Sequence, residues 1–97
     1  MKGYWLVLGT EVTDAAAQKA YGALWAPIAE RYGARLVAGS EAIEAVEARD
    51  ATRVLLVEFP TFEAAKACYD DPAYREAREV ALRAAQRSLV LLRGEIA

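Results

Sequence analysis

The sequence predicts an α+β domain whose elements follow the order strand, helix, strand, strand, helix, strand. Short runs rich in aromatic and β-branched residues alternate with longer segments whose apolar residues have helical spacing. Turn and capping residues separate the two kinds of segment. This order is the ferredoxin-like split βαβ arrangement, with a four-stranded antiparallel sheet. We expect residues 1–97 to form one such domain.

The first half of the chain begins with a strand and a helix. Tyr4–Val12 is the first predicted strand, and Thr13 or Asp14 is a candidate N-cap for the helix that follows. This helix should kink or break at Pro27, because proline has no N–H group to donate to the carbonyl oxygen four residues earlier. Gly33 should end the helix, since glycine readily adopts the left-handed conformation at that position.

The remaining elements are three strands and a second helical region. Arg35–Ala38 is a short predicted strand, and an irregular or hairpin-like excursion follows it. Arg53–Phe59 is the clearest strand in the chain, and Thr61 should cap the helix after it. The Asp-Pro pair at residues 71–72 predicts the start of a second helical piece that runs to about residue 85. Ser88–Leu92 is the last predicted strand.

The strands are apolar at positions that point to both faces of the predicted sheet. This holds for Tyr4–Leu8, Val54–Val57 and Leu89–Leu92. Both βαβ crossovers should place their helices on one face, and a sheet with one wet face normally alternates apolar and polar residues. A second copy of the chain is the simplest cover for the other face. The sequence therefore predicts a homodimer through the open sheet face.

Composition excludes several classes of function and partner. The net charge of −2 argues against nucleic acid or an anionic membrane as the main partner. The single cysteine fits a reducing cytoplasm. Glu11 ends the first apolar run too early for a signal peptide. No apolar run is long enough to span a membrane. Histidine is absent, so imidazole-based metal sites and nucleophile pairs are not available, and we expect no cofactor and no metal.

Four segments of the chain together form a recognisable pattern. The signature stretch is "FPTFEAAKACYDDPAYREAR" at Phe59–Arg78. The other three segments are "KGYWLV" at Lys2–Val7, "RYGARLV" at Arg31–Val37 and "SLVLLRG" at Ser88–Gly94. The signature stretch, and these three as the opening, second and closing strands, resemble a family of small bacterial proteins, the domain of unknown function 1330 family. The resemblance implies a dimeric α/β barrel built from ferredoxin-like chains. It implies no reaction.

Cys68 and the neighbouring aspartates attract attention as a possible reactive site. A reactive cysteine needs a lowered pKa, but Cys68 lies near the negative end of a predicted helix and precedes Asp70 and Asp71. We therefore interpret Cys68 as a small buried apolar residue. Adjacent carboxylates alone are a weak signal for a cation site, and Asp71 before Pro72 fits a helix N-cap.

Four other residues are the candidate ligand-binding positions. Glu58 could act as a general base if it were buried and unpaired, or it could form a salt bridge with Arg35. Arg35 could instead hold a carboxylate ligand. The hydroxyl groups of Tyr69 and Tyr74 could reach the mouth of a cleft, although most aromatic side chains of the chain should pack in the core.

Three functions remain open at this point. The first is a homodimeric small-molecule-binding domain without established catalysis, with its ligand between the sheet and the helices. The second is a cofactor-independent monooxygenase-like or isomerase-like enzyme, of the kind found on related dimeric barrels, and it rests on fold analogy alone. The third is a purely structural or regulatory dimer. The first is the function that we expect.

Overall fold

The structure, a computed structural model, describes the backbone of residues 1–97 and every side chain except that of Ala42. The chain forms four strands, three helices and one short 3₁₀ turn at Ser40–Ala42. In chain order, the helices and strands are β1 (Gly3–Gly9), α1 (Ala15–Tyr32), β2 (Arg35–Ala38), β3 (Arg53–Phe59), α2 (Phe62–Asp70), α3 (Pro72–Ala84) and β4 (Arg87–Arg93).

The four strands form a single antiparallel sheet in the order β2-β3-β1-β4. The central strand β1 divides its side chains between the two faces. Trp5 and Val7 belong to the buried core, which the helices cover. Leu6 and Leu8 alternate with them and therefore point to the opposite, open face. The predicted ferredoxin-like α+β fold is confirmed.

Capping residues set the helix boundaries as the sequence predicts. The side chains of Asp14, Thr61 and Asp71 each accept a hydrogen bond from a backbone N–H in the first turn of α1, α2 and α3 respectively. Gly33 ends α1 in the left-handed conformation, with φ at 67°. Only glycine adopts this conformation without steric cost, which explains why the helix stops there.

The structure corrects two boundaries. Strand β1 ends at Gly9 and not at Val12, because its neighbours β3 and β4 pair with it only as far as Gly9. Helix α1 continues through Pro27 without the expected break. Pro27 and Ala23 are both exposed, so water can bind the Ala23 carbonyl group that lacks an intrahelical donor.

The core is an aromatic cluster around Trp5. The Trp5 ring lies 4.8 Å from the Tyr74 ring, 5.2 Å from Phe59, 5.3 Å from Trp25 and 5.9 Å from Tyr69, measured between ring centroids. These separations are typical of favourable tilted and edge-to-face contacts. The Trp5 indole N–H donates to the carbonyl oxygen of Ala65 at 3.0 Å. The expectation that most aromatic side chains pack in the core is confirmed.

Candidate functional site

Arg35 and Glu58 form an ion pair on the open face of the sheet. The two residues are directly opposite each other in the β2–β3 register, and the Arg35 guanidinium donates to Glu58 Oε1 at 3.0 Å. Lys2 binds the other carboxylate oxygen at 3.3 Å. The hydrogen bond from Arg35 is the main cause of a lowered Glu58 pKa, and Lys2 contributes, although burial opposes both. The salt-bridge interpretation therefore fits Glu58, and the properties of a neutral-pH base do not.

Tyr69 and Tyr74 lie on the other side of the sheet, in the aromatic core. Tyr74 is fully buried, and its hydroxyl group accepts a hydrogen bond from Arg87 at 2.7 Å and lies 3.0 Å from the Tyr21 hydroxyl. Burial is the main reason that the Tyr74 pKa is raised. The four candidate positions thus form two separate pairs, Arg35 with Glu58 and Tyr69 with Tyr74. They are separate because the alternation of side chains along β3 places Glu58 on the open face.

Cys68 and Asp71 have the structural roles that the sequence predicts. Cys68 is fully buried, and burial, together with the charge of Asp71, raises its thiol pKa to about 12. Asp71 caps α3 and also accepts hydrogen bonds from the Tyr32 hydroxyl at 2.6 Å and from Arg31 at 3.0 Å. The Tyr32 hydrogen bond is the largest cause of a lowered Asp71 pKa.

A largely apolar cavity lies between α1 and the edge of the sheet formed by β2 and β3. Its volume is about 270 Å³, and we call it the α1 cavity. Gln18 brings a polar side chain to its lining, and Tyr21 also lines it. The Tyr21 hydroxyl itself lies 3.0 Å from the Tyr74 hydroxyl. The main apolar contributors are Gly22, Trp25, Leu36, Leu55 and Val57. Such a cavity, apolar with a few polar groups, has the character of a small-molecule site.

A second cavity lies at the opposite edge of the sheet, between α3 and β4. Its volume is about 420 Å³, and we call it the α3 cavity. Of the four candidate positions, only Tyr69 lines it. The other lining residues are Arg78, Glu79, Leu82, Arg87 and Leu89.

Sequence reasoning identified Tyr69 but missed the other residues that line the two cavities. Tyr21 and Trp25 are among the aromatic residues for which the sequence predicts core packing, and Arg78 and Arg87 carry no local signal. Gly22 was the one available hint, because a glycine inside a helix weakens it and often has a packing reason. An ideal Cβ built at Gly22 meets nothing within 4 Å, so open space and not crowding surrounds this position.

Metal-ligating clusters and membrane-spanning helices are both absent from the described residues. No group of three or more His, Cys, Asp or Glu side chains in this part of the chain could hold a metal ion. None of its helices combines the length and the apolar character needed to cross a membrane.

Comparisons with solved structures support the fold. A crystal structure of a protein of unknown function from Rhodopseudomonas palustris has a TM-score of 0.71 and 24% sequence identity, over 99% of this chain and 84% of that one. A candidate antibiotic biosynthesis monooxygenase from Nitrosomonas europaea has a TM-score of 0.54 and 17% identity, over 97% and 91% of the two chains. An uncharacterised NIPSNAP domain protein from Burkholderia xenovorans has a TM-score of 0.52 and 14% identity, over 99% and 96%. At these identities the likeness concerns the fold alone.

Sequence comparison identifies the family. No curated protein matches the chain. The protein-family model described as "Domain of unknown function (DUF1330)" matches residues 2–95, which is nearly the whole sequence. The resemblance that the four sequence segments indicated is therefore confirmed, and the chain belongs to the DUF1330 family.

Proposed function

We propose that the protein is a homodimeric domain that binds a small, largely apolar molecule in the α1 cavity. The observation that carries this proposal is the cavity itself, which has a volume of about 270 Å³ between α1 and the sheet. Cavities that take drug-sized ligands usually range from about 300 to 1,000 Å³. The volume therefore suits a compact ligand with one or two rings.

The lining of the α1 cavity supports the chemical class of this ligand. Trp25, Leu55 and Val57 offer an aromatic ring and two aliphatic side chains as packing surfaces. The Gln18 amide can donate or accept a hydrogen bond, which would orient a ligand with a single polar group. A neutral aromatic molecule with one N–H or O–H group matches this lining.

Binding without catalysis is favoured over the enzyme alternative. Among the described residues that line the α1 cavity, only Tyr21 has a titratable side chain. General acid–base catalysis works best with a group whose pKa lies near the working pH. Glu58 is ion-paired on the other face, and Cys68 and Tyr74 have raised pKa values. The monooxygenase-like neighbour adds an argument about fold and none about chemistry.

The open face of the sheet supports the dimer part of the proposal. Six aliphatic side chains point to this face from three adjacent strands, namely Leu6, Leu8, Val54, Leu56, Val90 and Leu92. Leu8 and Val90 are 43% and 48% exposed in the single chain. A second copy packed about a two-fold axis would bury this surface on both partners. The α1 cavity lies on the opposite side of the sheet and stays accessible in such a dimer.

Calorimetric titration with indole tests ligand binding, and the Gly22→Leu variant tests whether the ligand binds in the α1 cavity. A leucine at residue 22 should project into the open space of the cavity and fill it. It should not destabilise the fold, because replacing glycine in a helix gains up to about 1 kcal/mol. Ala23→Leu is the matched control, since Ala23 is the next residue of α1 and is exposed.

We expect the wild type and Ala23→Leu to bind indole with the same affinity. Gly22→Leu should bind it at least roughly tenfold more weakly, as loss of well-packed apolar contacts worth about 1.4 kcal/mol would produce. Equal affinities for the two leucine variants would contradict the location. A wild type that shows no saturable binding of indole or of 2-naphthol would contradict the proposed function.

A further inference from the structure

The α3 cavity contains two arginine side chains that have no carboxylate partner. The ion pairs within the described residues involve Lys2, Arg31, Arg35 and Lys66. Neither Arg78 nor Arg87 is among them, although both line the cavity. Charged side chains that leave bulk water are usually paired, because desolvation of an unpaired charge is costly. Arg87 is only partly exposed, so its unpaired guanidinium group needs an explanation, and Arg78 adds a second unpaired guanidinium group to the same cavity.

Arg87 is held firmly but is not saturated with hydrogen bonds. The guanidinium donates to the Tyr74 hydroxyl at 2.7 Å, and its central carbon lies 5.5 Å from the centroid of the Tyr21 ring and 5.9 Å from that of Tyr74. These contacts fix its position through one hydrogen bond and cation–π attraction. A guanidinium has five N–H donors, so most of the donors of Arg87 are free.

The free donors of Arg87 are partly open to solvent. Within the part of the chain whose side chains are described, no fully buried side-chain nitrogen or oxygen lacks a hydrogen-bond partner. The unbonded guanidinium nitrogens of Arg87 are therefore not fully buried. Because Arg87 is only partly exposed and lines the α3 cavity, a molecule in that cavity could reach them.

Arg78 brings a second guanidinium to the cavity from a different element. It extends from α3, whereas Arg87 extends from β4. Its Nη1 donates to the Tyr69 hydroxyl at 3.1 Å, and its central carbon lies 5.5 Å from the Tyr69 ring centroid. Tyr69 thus positions Arg78 in the way that Tyr74 positions Arg87. The two cations approach one space from the helix and from the sheet.

The rest of the lining is apolar except for one carboxylate. Leu82 and Leu89 offer aliphatic surface beside the tyrosine ring. Glu79 also lines the cavity, but it is exposed and lies within ion-pair distance of neither arginine. A ligand that suits this lining carries a negative charge at one end and an apolar body at the other.

We propose that the α3 cavity binds a small organic carboxylate. Its carboxylate group accepts hydrogen bonds from Arg87 and Arg78, and its apolar body lies against Leu82, Leu89 and the Tyr69 ring. Arginine suits this role because its planar fork matches the geometry of a carboxylate. The α3 cavity shares no lining residue with the α1 cavity, so each proposal has its own test.

Calorimetric titration with benzoate tests the site, with benzamide as the neutral probe of the same shape. Arg78→Gln removes one cation, and Arg87→Gln removes the other together with its bond to Tyr74. Arg75→Gln is the matched control, because Arg75 is exposed on the same helix and does not line the cavity. If Arg87→Gln fails to fold, Arg78→Gln decides the test alone, since Arg78 is partly exposed and the Tyr69 hydroxyl is its one side-chain hydrogen-bond partner among the described residues.

We expect Arg78→Gln and Arg87→Gln each to weaken benzoate binding roughly tenfold or more, as loss of a charge-assisted hydrogen bond would produce. Arg75→Gln and Gly22→Leu should bind benzoate as the wild type does. The proposal is overturned if the wild type shows no saturable benzoate binding, if benzamide binds as tightly as benzoate, or if Arg78→Gln matches Arg75→Gln. Benzoate binding that is lost only in Gly22→Leu would also overturn it and would assign the anion to the α1 cavity.

Discussion

The roles of individual side chains in this protein depend on the residues near them, and the sequence predicted some of these roles. The Asp-Pro step at residues 71–72 predicted a helix cap, and the acidic surroundings of Cys68 predicted an unreactive thiol. Both predictions are confirmed because they depend on contacts close in the chain. The pairing of Arg78 and Arg87 on one cavity depends on how α3 packs beside β4, and no local pattern carries that information.

The Cys68 thiol should be inert in the folded protein. Burial and the charge of Asp71 raise its pKa to about 12, so the reactive thiolate is scarce at neutral pH. We expect Ellman's reagent at pH 8 to react with Cys68 only at the rate of unfolding, and to react fully in guanidinium chloride. Fast stoichiometric reaction with an unchanged far-UV circular dichroism spectrum would contradict the buried position.

Asp71 should make the stability of the fold sensitive to acid. Its pKa in the folded state is lowered from the ordinary value of 3.8, mainly by the Tyr32 hydroxyl, so the ionised form stabilises the folded state above that value. This stability is lost as the pH falls through the lowered pKa. Asp71→Asn keeps a capping side chain but removes the charge, so its free energy of unfolding should fall less than that of the wild type between about pH 5 and pH 2.

Urea denaturation at a series of pH values measures this difference. Asp70→Asn is the matched control, because Asp70 is exposed and forms only a surface pair with Lys66. We expect the control to follow the wild-type profile. An Asp71→Asn variant with the same acid dependence as the wild type would show that the Asp71 charge has no such role.

At the scale of whole elements, the strands and helices were largely predictable because their ends carry strong local signals. Asp14, Thr61 and Gly33 lie at the ends that were expected. The predicted end of β1 was wrong because a strand ends where its pairing with the neighbouring strands ends. This pairing is not visible in a local segment of the sequence. Of the kink or break expected at Pro27, the break does not occur, because tertiary packing along the rest of α1 outweighs one missing hydrogen bond.

Replacing Pro27 should stabilise α1. Alanine at this position restores an N–H donor to the Ala23 carbonyl and favours the helix by as much as about 3 kcal/mol, although proline also lowers the entropy of the unfolded chain. We expect Pro27→Ala to raise the free energy of unfolding by about 1–2 kcal/mol, measured by urea denaturation. A lower free energy of unfolding for Pro27→Ala would mean that the proline has a packing role on this exposed face.

The whole molecule is a two-layer structure, and the two faces of its sheet have different surroundings. The helices cover one face and enclose the aromatic core, and the two cavities lie at opposite edges of that layer. The other face presents aliphatic side chains. The sequence predicted this apolar open face, but it could not predict the cavities, because empty space depends on the distance between α1 or α3 and the sheet edges.

Dimer formation should depend on the open face and not on other exposed apolar residues. Val90 is 48% exposed at the edge strand β4, so Val90→Asp would place a charge in the proposed interface with little harm to the single chain. Val46→Asp is the control, because Val46 is 82% exposed between β2 and β3. Multi-angle light scattering should give a dimer for the wild type and for Val46→Asp, and a monomer for Val90→Asp. A monomeric wild type at micromolar concentration would contradict the dimer.

The most direct test of the proposed function is a titration of ¹⁵N-labelled protein with indole, followed by NMR chemical shifts. We expect saturable changes at the backbone amides of α1 residues 18–29 and of Leu36, Leu55 and Val57, with little change at the open face or around the α3 cavity. The assigned spectrum of Gly22→Leu should change much less under the same conditions. Absent changes, or changes centred on Leu6, Leu56 and Val90, would contradict a ligand site in the α1 cavity.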